Sequence, residues 1–477
     1  MSSKSVIVIG GGLAGLSAAI ALAESGCRVR LFEKRPFLGG RATSYVLPTG
    51  EHVDNCQHVT LGCCTNLEDF YRRVGAAKKL RFFDRLVFVD TRGRRGIVKS
   101  SFLPAPFHLA LSFTFFPALD WKDKRAIGRA MMEIVRASGR PHDLDEPGGL
   151  TMLEWLRRHG QTEKAIDRFW RVVLVSALDE ELDRTDARYG IEVFWKGFLA
   201  NRRGYRLGVP SVPLAQLYDG CRAAIEKRGG EVHLRAPVRG LTFDGDRLRG
   251  VQLDDAQEES ADSYVLAVPH DAVRALLPER VARQSAFAAL DSFRVSPITG
   301  VHFWFDRAVL REPFLTLLDT TSQWVFNKSA LYGASADGGS APPAPPGQYL
   351  QIVISASYDL LEKSRQEIID LCLRELRQVL PAAREAQLVR ATVIKEAAAT
   401  FSPAPGCDRW RPAQNSPIAG LFLAGDWTAT GWPATMESAA RSGYLAAEAI
   451  LAADGAPRQF VQPDLPVERL VRFLARR

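Results

Sequence analysis

Val6-Ile-Val-Ile-Gly-Gly-Gly-Leu-Ala-Gly15 is the stretch from which the fold is read. Its apolar run predicts a buried strand, and the glycines after it predict a tight turn into a helix. Gly10, Gly12 and Gly15 form Gly-x-Gly-x-x-Gly. The first glycine allows the turn, the second lets backbone approach a pyrophosphate, and the third packs helix on strand. Leu16, Ala19, Ile20 and Ala23 then share one helical face. The N–H groups at the start of that helix, around Leu13 and Ala14, offer a positive dipole end to phosphate oxygens. A second strand, Val29-Arg-Leu-Phe-Glu33, ends in a carboxylate beside Lys34. It falls about twenty residues past the motif, where ribose hydroxyls need an acceptor. An acid there disfavours a 2′-phosphate, so the site suits NAD or FAD rather than NADP.

Two further segments favour FAD. Gly39-Gly40-Arg41 follows the ribose acid as a second glycine turn with a cation, of the kind that lies over a pyrophosphate and flavin edge. Near the other end, Leu421-Phe-Leu-Ala-Gly-Asp-Trp-Thr-Ala-Thr-Gly-Trp-Pro-Ala-Thr-Met-Glu437 reads as strand, turn and helix start. Gly425-Asp426 sets a carboxylate at the strand end, where it can accept from ribityl hydroxyls. Pro433, Thr435 and Met436 open a helix whose N–H groups face the flavin edge that gathers negative charge on reduction. The expected fold class is therefore α/β, with a Rossmann-type FAD-binding domain interleaved with a mixed α+β substrate domain.

The chain resembles the amine oxidase and phytoene desaturase superfamily of flavoproteins. Within it, the chain is most similar to the hydroxysqualene dehydroxylases, squalene-associated FAD enzymes of the hopanoid pathway. The resemblance is carried by Val53-Asp-Asn-Cys-Gln-His-Val-Thr-Leu-Gly62, by Ala399-Thr-Phe with Pro405-Gly406 and Arg411-Pro412, and by Ala424 to Gly443. Trp427-Thr-x-Thr-Gly-Trp-Pro-x-Thr-Met-Glu437 is its most discriminating run. Cys56 and Ser438 stand where that family carries glycine. The resemblance implies that Gln57 and His58 approach the flavin, that Val238 gives a backbone contact to adenine, and that the turn holding Val268 passes close by.

At 477 residues the chain exceeds one ordinary core. We expect the FAD-binding domain to be discontinuous, from 1–65, 205–285 and 396–455. Residues 66–204, read as helical, and 286–395 form the substrate domain, and 456–477 a C-terminal extension. Strands are expected at Glu231–Leu234, Val238–Phe243, Leu248–Leu253, Tyr264–Val268, Thr299–Phe305, Leu317–Phe326, Tyr349–Ser355 and Leu388–Ile394, with a helix over Glu367–Leu380. Ala334 to Gly347 reads as a surface loop. No apolar run is long enough to span a bilayer, and no signal peptide precedes the first strand. The seven cysteines show no metal spacing, so no metal is expected and reduced cytoplasmic thiols are.

The net charge of +8 does not imply nucleic acid, since no binding module or dense basic helix accompanies it. Attraction to an anionic membrane fits better. Phe102 to Trp121 is aromatic and apolar but interrupted by three prolines. It reads either as a segment that dips into the membrane interface and admits a lipid, or as a buried helical hairpin. Lys122, Lys124, Arg125 and Arg129 follow it. A cytoplasmic protein, peripheral on the inner membrane face, is the expected location.

The resemblance implies reductive dehydroxylation. Protonation of the hydroxyl of hydroxysqualene releases water, and reduced flavin returns hydride to the allylic cation to give squalene. The protein must supply the proton, exclude water and hold a long hydrocarbon. His58 is the candidate proton donor, and Trp432 the leading aromatic for stabilising the cation. Phe194, Trp195, Phe198, Phe303, Trp304, Phe305 and Trp427 are further aromatic candidates. An external electron donor is implied because no second nucleotide motif is visible. The alternatives are a carotenoid desaturase, an amine oxidase lacking the usual C-terminal cysteine, and a lipid carrier with structural FAD.

Overall fold

Burial of the run Val6–Ile9 on both faces is met by a five-stranded sheet with Ser5–Ile9 at its centre. The strands run in the order Glu231–Leu234, Arg28–Glu33, Ser5–Ile9, Ser263–Leu266 and Leu421–Leu423. All four pairings are parallel, with Val6 opposite both Val29 and Ser263. The computed structural model describes residues 4–48, 50–145, 149–245, 247–254, 257–333 and 347–475. The surface loop expected over Ala334–Gly347 lies outside the described residues except for Gly347.

Two helices cover one face of this sheet, Leu13–Glu24 and Met436–Ala453. Their crossing is close: a Cβ at Gly443 would lie 2.2 Å from the carbonyl oxygen of Ala14. The N-terminal and C-terminal signatures are thereby locked together through helices as well as through strands.

The second sheet has seven strands, in the order Leu388–Phe401, Val295–Phe305, Gln348–Ser355, Trp324–Asn327, Phe314–Leu317, Arg85–Val89 and Arg95–Lys99. Only Phe314–Leu317 and Arg85–Val89 pair in parallel. Side chains alternate across Val295–Phe305. Val301, Phe303 and Phe305 pack beneath the helix Arg365–Val379 with Ile368, Cys372 and Leu376. Gly300 and His302 face the opposite way. Helices Trp121–Arg136, Met152–Arg158, Arg171–Leu178 and Ala187–Phe194 build a further layer around Trp155, Trp170 and Phe194.

Three expectations are corrected. The stretch 66–204 is not wholly helical, since Leu80–Phe83, Arg85–Val89 and Arg95–Lys99 are strands. Leu317–Phe326 is not one strand but the ends of two, because the carboxylate of Glu375 accepts the N–H groups of Thr321 and Ser322, both at 2.8 Å, and fixes a turn. The domain boundary expected at 395/396 falls inside the continuous strand Leu388–Phe401. That strand carries the second sheet directly to the cofactor side.

No helix among the described residues is long and apolar enough to cross a membrane. The run from Phe102 is not a buried helical hairpin. Phe102, Phe115 and Trp121 are 82%, 81% and 66% exposed, and only Ala110–Thr114 is helical before Trp121.

Candidate active site

The glycines of the first turn have separable jobs. Gly10 adopts a φ of +108°, and a Cβ there would meet the Ala267 carbonyl oxygen at 2.4 Å. A Cβ on Gly15 would meet the Gly10 carbonyl oxygen at 2.0 Å. Gly12 is different, because its Cβ would find nothing nearer than Gly40 Cα at 3.8 Å. Gly12 and Gly39 bridge the two glycine turns, so a side chain on Gly12 would enter the groove between them. The helix Leu13–Glu24 begins there with no side-chain cap and no acid in its first turn. That leaves its dipole end to an anion.

Glu33 is buried and accepts the Gly11 N–H at 2.6 Å and the Arg35 N–H at 2.8 Å. A carboxylate has about four lone-pair positions, so two such bonds leave room for ribose hydroxyls. Ala236 donates its N–H to the Glu33 carbonyl at 3.0 Å, which brings half-buried Val238 beside the same end of the groove. Lys34 is exposed. The Val268 carbonyl accepts the indole N–H of buried Trp427 at 2.9 Å.

Arg41 joins the two ends of the chain. Its guanidinium donates to Asp426 Oδ1 at 2.6 Å and to the Ala399 carbonyl at 2.9 Å. The loop beyond Asp426 is held by buried Arg411, which donates to the carbonyls of Asp426 and Thr428 at 3.0 and 2.7 Å. Ser438 bonds Thr430 Oγ1 at 2.7 Å and the Asp426 carbonyl at 3.2 Å, so its hydroxyl secures the loop. Thr435 caps the helix Met436–Ala453, accepting the Ser438 N–H at 3.2 Å, and Pro433 leads into it. Glu437 turns away from the groove and caps another helix, Thr65–Arg73, through the N–H groups of Asn66 and Leu67. Burial nevertheless raises its pKa.

The segment after Val53 rests on a buried ion pair. Asp54 Oδ2 and Lys328 Nζ lie 2.6 Å apart with both side chains at 0% exposure. Burial pushes the Asp54 pKa upward, but Lys328, the Leu214 N–H and Ser44 outweigh it and hold the carboxyl below its ordinary range. Burial lowers the pKa of Lys328. Lys328 also donates to Gln57 Oε1 at 2.6 Å, so the Gln57 side chain is spent on the scaffold. His58 Nδ1 lies 3.2 Å from the Cys56 carbonyl. Burial lowers its pKa, which favours the neutral imidazole.

These residues fit a flavin nucleotide. The Gly12–Gly40 groove is one a Cβ would fill. Beside it, Thr43 Oγ1 and Asn55 Oδ1 are buried without a partner among the described residues. Buried polar atoms left unpaired are costly, and a polar cofactor edge would satisfy them.

The second sheet lies over this segment. A Cβ on Gly300 would meet the Asn55 carbonyl oxygen at 2.8 Å and Cys56 Cα at 3.7 Å. Along the same face, Phe83, Phe314, Trp324 and Phe326 form a wall with ring centroids 5.1–6.1 Å apart. Sequence reasoning missed this wall and instead named Phe303 and Phe305, which pack on the far side of the sheet. It also named Phe194, which is buried in the helical layer. Trp195 and Phe198 pack against the same cluster. Trp304 stacks on Tyr349 at 4.6 Å. Trp432 is 6% exposed, and its indole N–H has no partner among the described residues. Lys196 Nζ sits 4.2 Å over its ring. Asp179 and Lys328, unnoticed in the sequence, have one visible signal in common: each is a charged residue shortly after a largely apolar run, Val172–Leu178 and Trp324–Phe326.

Known proteins share this fold. The chain is 29% identical to the zeta-carotene desaturase of Synechocystis sp., covering 94% of this chain and 97% of that one. It is 26% identical to the 15-cis-phytoene desaturase of Synechococcus elongatus, covering 94% and 96%. Among solved structures, the cyclohexylamine oxidase of Brevibacterium oxydans superimposes with a TM-score of 0.69 at 17% identity, covering 95% of this chain and 100% of that one. The cofactor is FAD. Residues 13–451 match the flavin containing amine oxidoreductases, and the chain belongs to that family of FAD-dependent oxidoreductases.

Proposed function

We propose that this protein exchanges hydride between FAD and a long isoprenoid chain, and that its reaction is the reductive dehydroxylation of hydroxysqualene to squalene. The segment Ala424–Gly443 carries this reading. Residues that resemble hydroxysqualene dehydroxylases are among those that close the flavin site: Asp426 on Arg41 and Trp427 on Val268. Bound FAD supplies the two-electron redox chemistry, recharged by an external donor. Gly12, Gly40 and the helix start at Leu13 would hold the pyrophosphate, Glu33 the ribose, and Asp426 with the helix start at Met436 the ribityl chain and flavin edge. The aromatic wall of Phe83, Phe314, Trp324 and Phe326 supports a hydrocarbon substrate, since such faces exclude water and tolerate a nearby carbocation. Trp432 would present its indole N–H, which has no partner among the described residues, at the flavin end.

The exposed aromatics Phe102, Phe115 and Trp121, with exposed Lys122, Arg125 and Arg129 beside them, support loading of the substrate from an anionic membrane surface.

Carotenoid desaturation is the second reading, and the curated relatives favour it. It runs the same flavin in the opposite sense, taking hydride from a polyene precursor. The two are separated by product analysis of the holoenzyme. Squalene formed from hydroxysqualene with a chemical reductant supports the first, and desaturated products from phytoene or zeta-carotene with an electron acceptor support the second.

A further inference from the structure

Asp179 terminates the helix Arg171–Leu178 in the left-handed region, at a φ of +53°. That conformation is disfavoured for residues with a Cβ and is tolerated best by Asn and Asp. Its effect is to turn the carboxyl inward, where the residue is 5% exposed. Oδ1 accepts the Ala356 N–H at 2.9 Å and Oδ2 meets the Thr400 hydroxyl at 2.9 Å. No cation among the described residues forms an ion pair with it.

The surroundings of Asp179 matter more than its burial. Thr400 adjoins Ala399, whose carbonyl takes the Arg41 hydrogen bond. After burial itself, the charge of Asp179 is the influence that most raises the Cys56 thiol. One turn back on the same helix, Ser176 accepts the indole N–H of Trp324 at 2.7 Å. Asp179 thus lies between the flavin segment and the aromatic wall. A carboxyl is thereby tied through Thr400 to the strand that Arg41 grips and through its own helix to the aromatic wall.

We propose that Asp179, bonded to the Thr400 hydroxyl, is the proton donor to the hydroxyl group of an allylic isoprenoid alcohol. This rests on the dehydroxylation reading. The carboxylic proton passes to the substrate oxygen, the C–O bond breaks with water leaving, and Asp179 remains as carboxylate. The carbon then takes a hydrogen and its electron pair from reduced FAD, which ends oxidised. A proton from solvent restores Asp179. Burial raises the Asp179 carboxyl well above the usual carboxylate range, against the Ala356 N–H and the Thr400 hydroxyl, which favours the acid form. The titratable groups facing it are Glu180, whose carboxylate is held by Tyr358 and approached by Arg184, and Cys56.

The test uses holoenzyme, reduced anaerobically, with flavin reoxidation followed on mixing with hydroxysqualene. Asp179→Asn is compared with Asp179→Glu and with the wild type, each checked for flavin content and melting temperature. A second substrate carries chlorine in place of the hydroxyl and needs no proton to leave. Loss of a proton donor gives a fall of about a hundredfold or more on the alcohol, little change on the chloride, and partial recovery in Asp179→Glu. Retained activity on the alcohol, or equal loss on both substrates, overturns the proposal while leaving the function intact. Failure of the wild type on hydroxysqualene overturns the function and the proposal together.

Discussion

Arg41 donates to Asp426 Oδ1 at 2.6 Å across 385 positions of sequence, and this contact fastens the N-terminal glycine turns to the C-terminal flavin loop. A charge-assisted hydrogen bond of this kind contributes about 1.5–3 kcal/mol. Asp426→Asn weakens it and removes the carboxylate offered to the ribityl chain. The expected result is a rise of roughly tenfold to a hundredfold in the FAD dissociation constant, measured by titration of the apoprotein.

Gly12→Ala separates cofactor binding from folding. The added methyl finds only an ordinary contact, 3.8 Å from Gly40 Cα, at a backbone φ of −76° that alanine adopts freely. The apoprotein should therefore melt within about 1 °C of wild type, since surface-like changes cost under about 0.5 kcal/mol. FAD affinity should nevertheless fall, because the methyl occupies the pyrophosphate groove. Unchanged affinity would remove Gly12 from the site.

Lys328→Met leaves Asp54 charged and buried without its counter-ion. Breaking such a pair costs about 3–5 kcal/mol, whereas replacing both partners costs far less. Chemical denaturation should show a large loss for Lys328→Met and substantial recovery in the double variant with Asp54→Asn.

The Asp179 carboxyl also gives a pH signature in stability. Its pKa is raised in the folded protein, so its favourable contribution is complete below the unfolded value and is lost as pH rises through the folded one. Asp179→Asn does not titrate. The stability of the variant relative to wild type should grow between pH 4 and pH 8, by about 1.4 kcal/mol for every tenfold by which folding weakens the acid. His58 and His302 are lowered by burial and act with the opposite sign, but equally in both proteins, so they cancel from the difference.

Replacing Phe102, Phe115 and Trp121 together by serine should abolish most binding to anionic vesicles. Full burial of a large apolar side chain is worth about 1.5–3 kcal/mol, or roughly tenfold or more for each one inserted. Flavin content should not change. Wild-type binding should weaken in high salt, as a basic rim requires.

Local requirements made the cofactor half of the fold legible. Gly10 and Gly15 are demanded by contacts with Ala267 and Gly10 backbone, and the same spacing that meets those demands is visible in the chain. Longer-range pairings were not. Asp54 and Lys328 lie 274 positions apart, and nothing in either neighbourhood names the other. Phe303, Trp304 and Phe305 stand together as aromatic candidates in the sequence, and alternation marks two faces without saying which one meets the flavin. Gly300, whose missing side chain admits Asn55 and Cys56, is what distinguishes them. Leu317–Phe326 reads as one strand, but Asp319 adopts a φ of +61° and Glu375 from a distant helix accepts the Thr321 and Ser322 N–H groups, which turns the segment.

The most direct test is anaerobic. The bound flavin is reduced, excess reductant is removed, hydroxysqualene is added, and absorbance near 450 nm is followed while squalene is assayed by mass. The account predicts reoxidation with one squalene formed per flavin. A flavin that stays reduced with hydroxysqualene, while oxidised enzyme is bleached by phytoene or zeta-carotene, would contradict it and make the protein a desaturase with hydride flowing the other way.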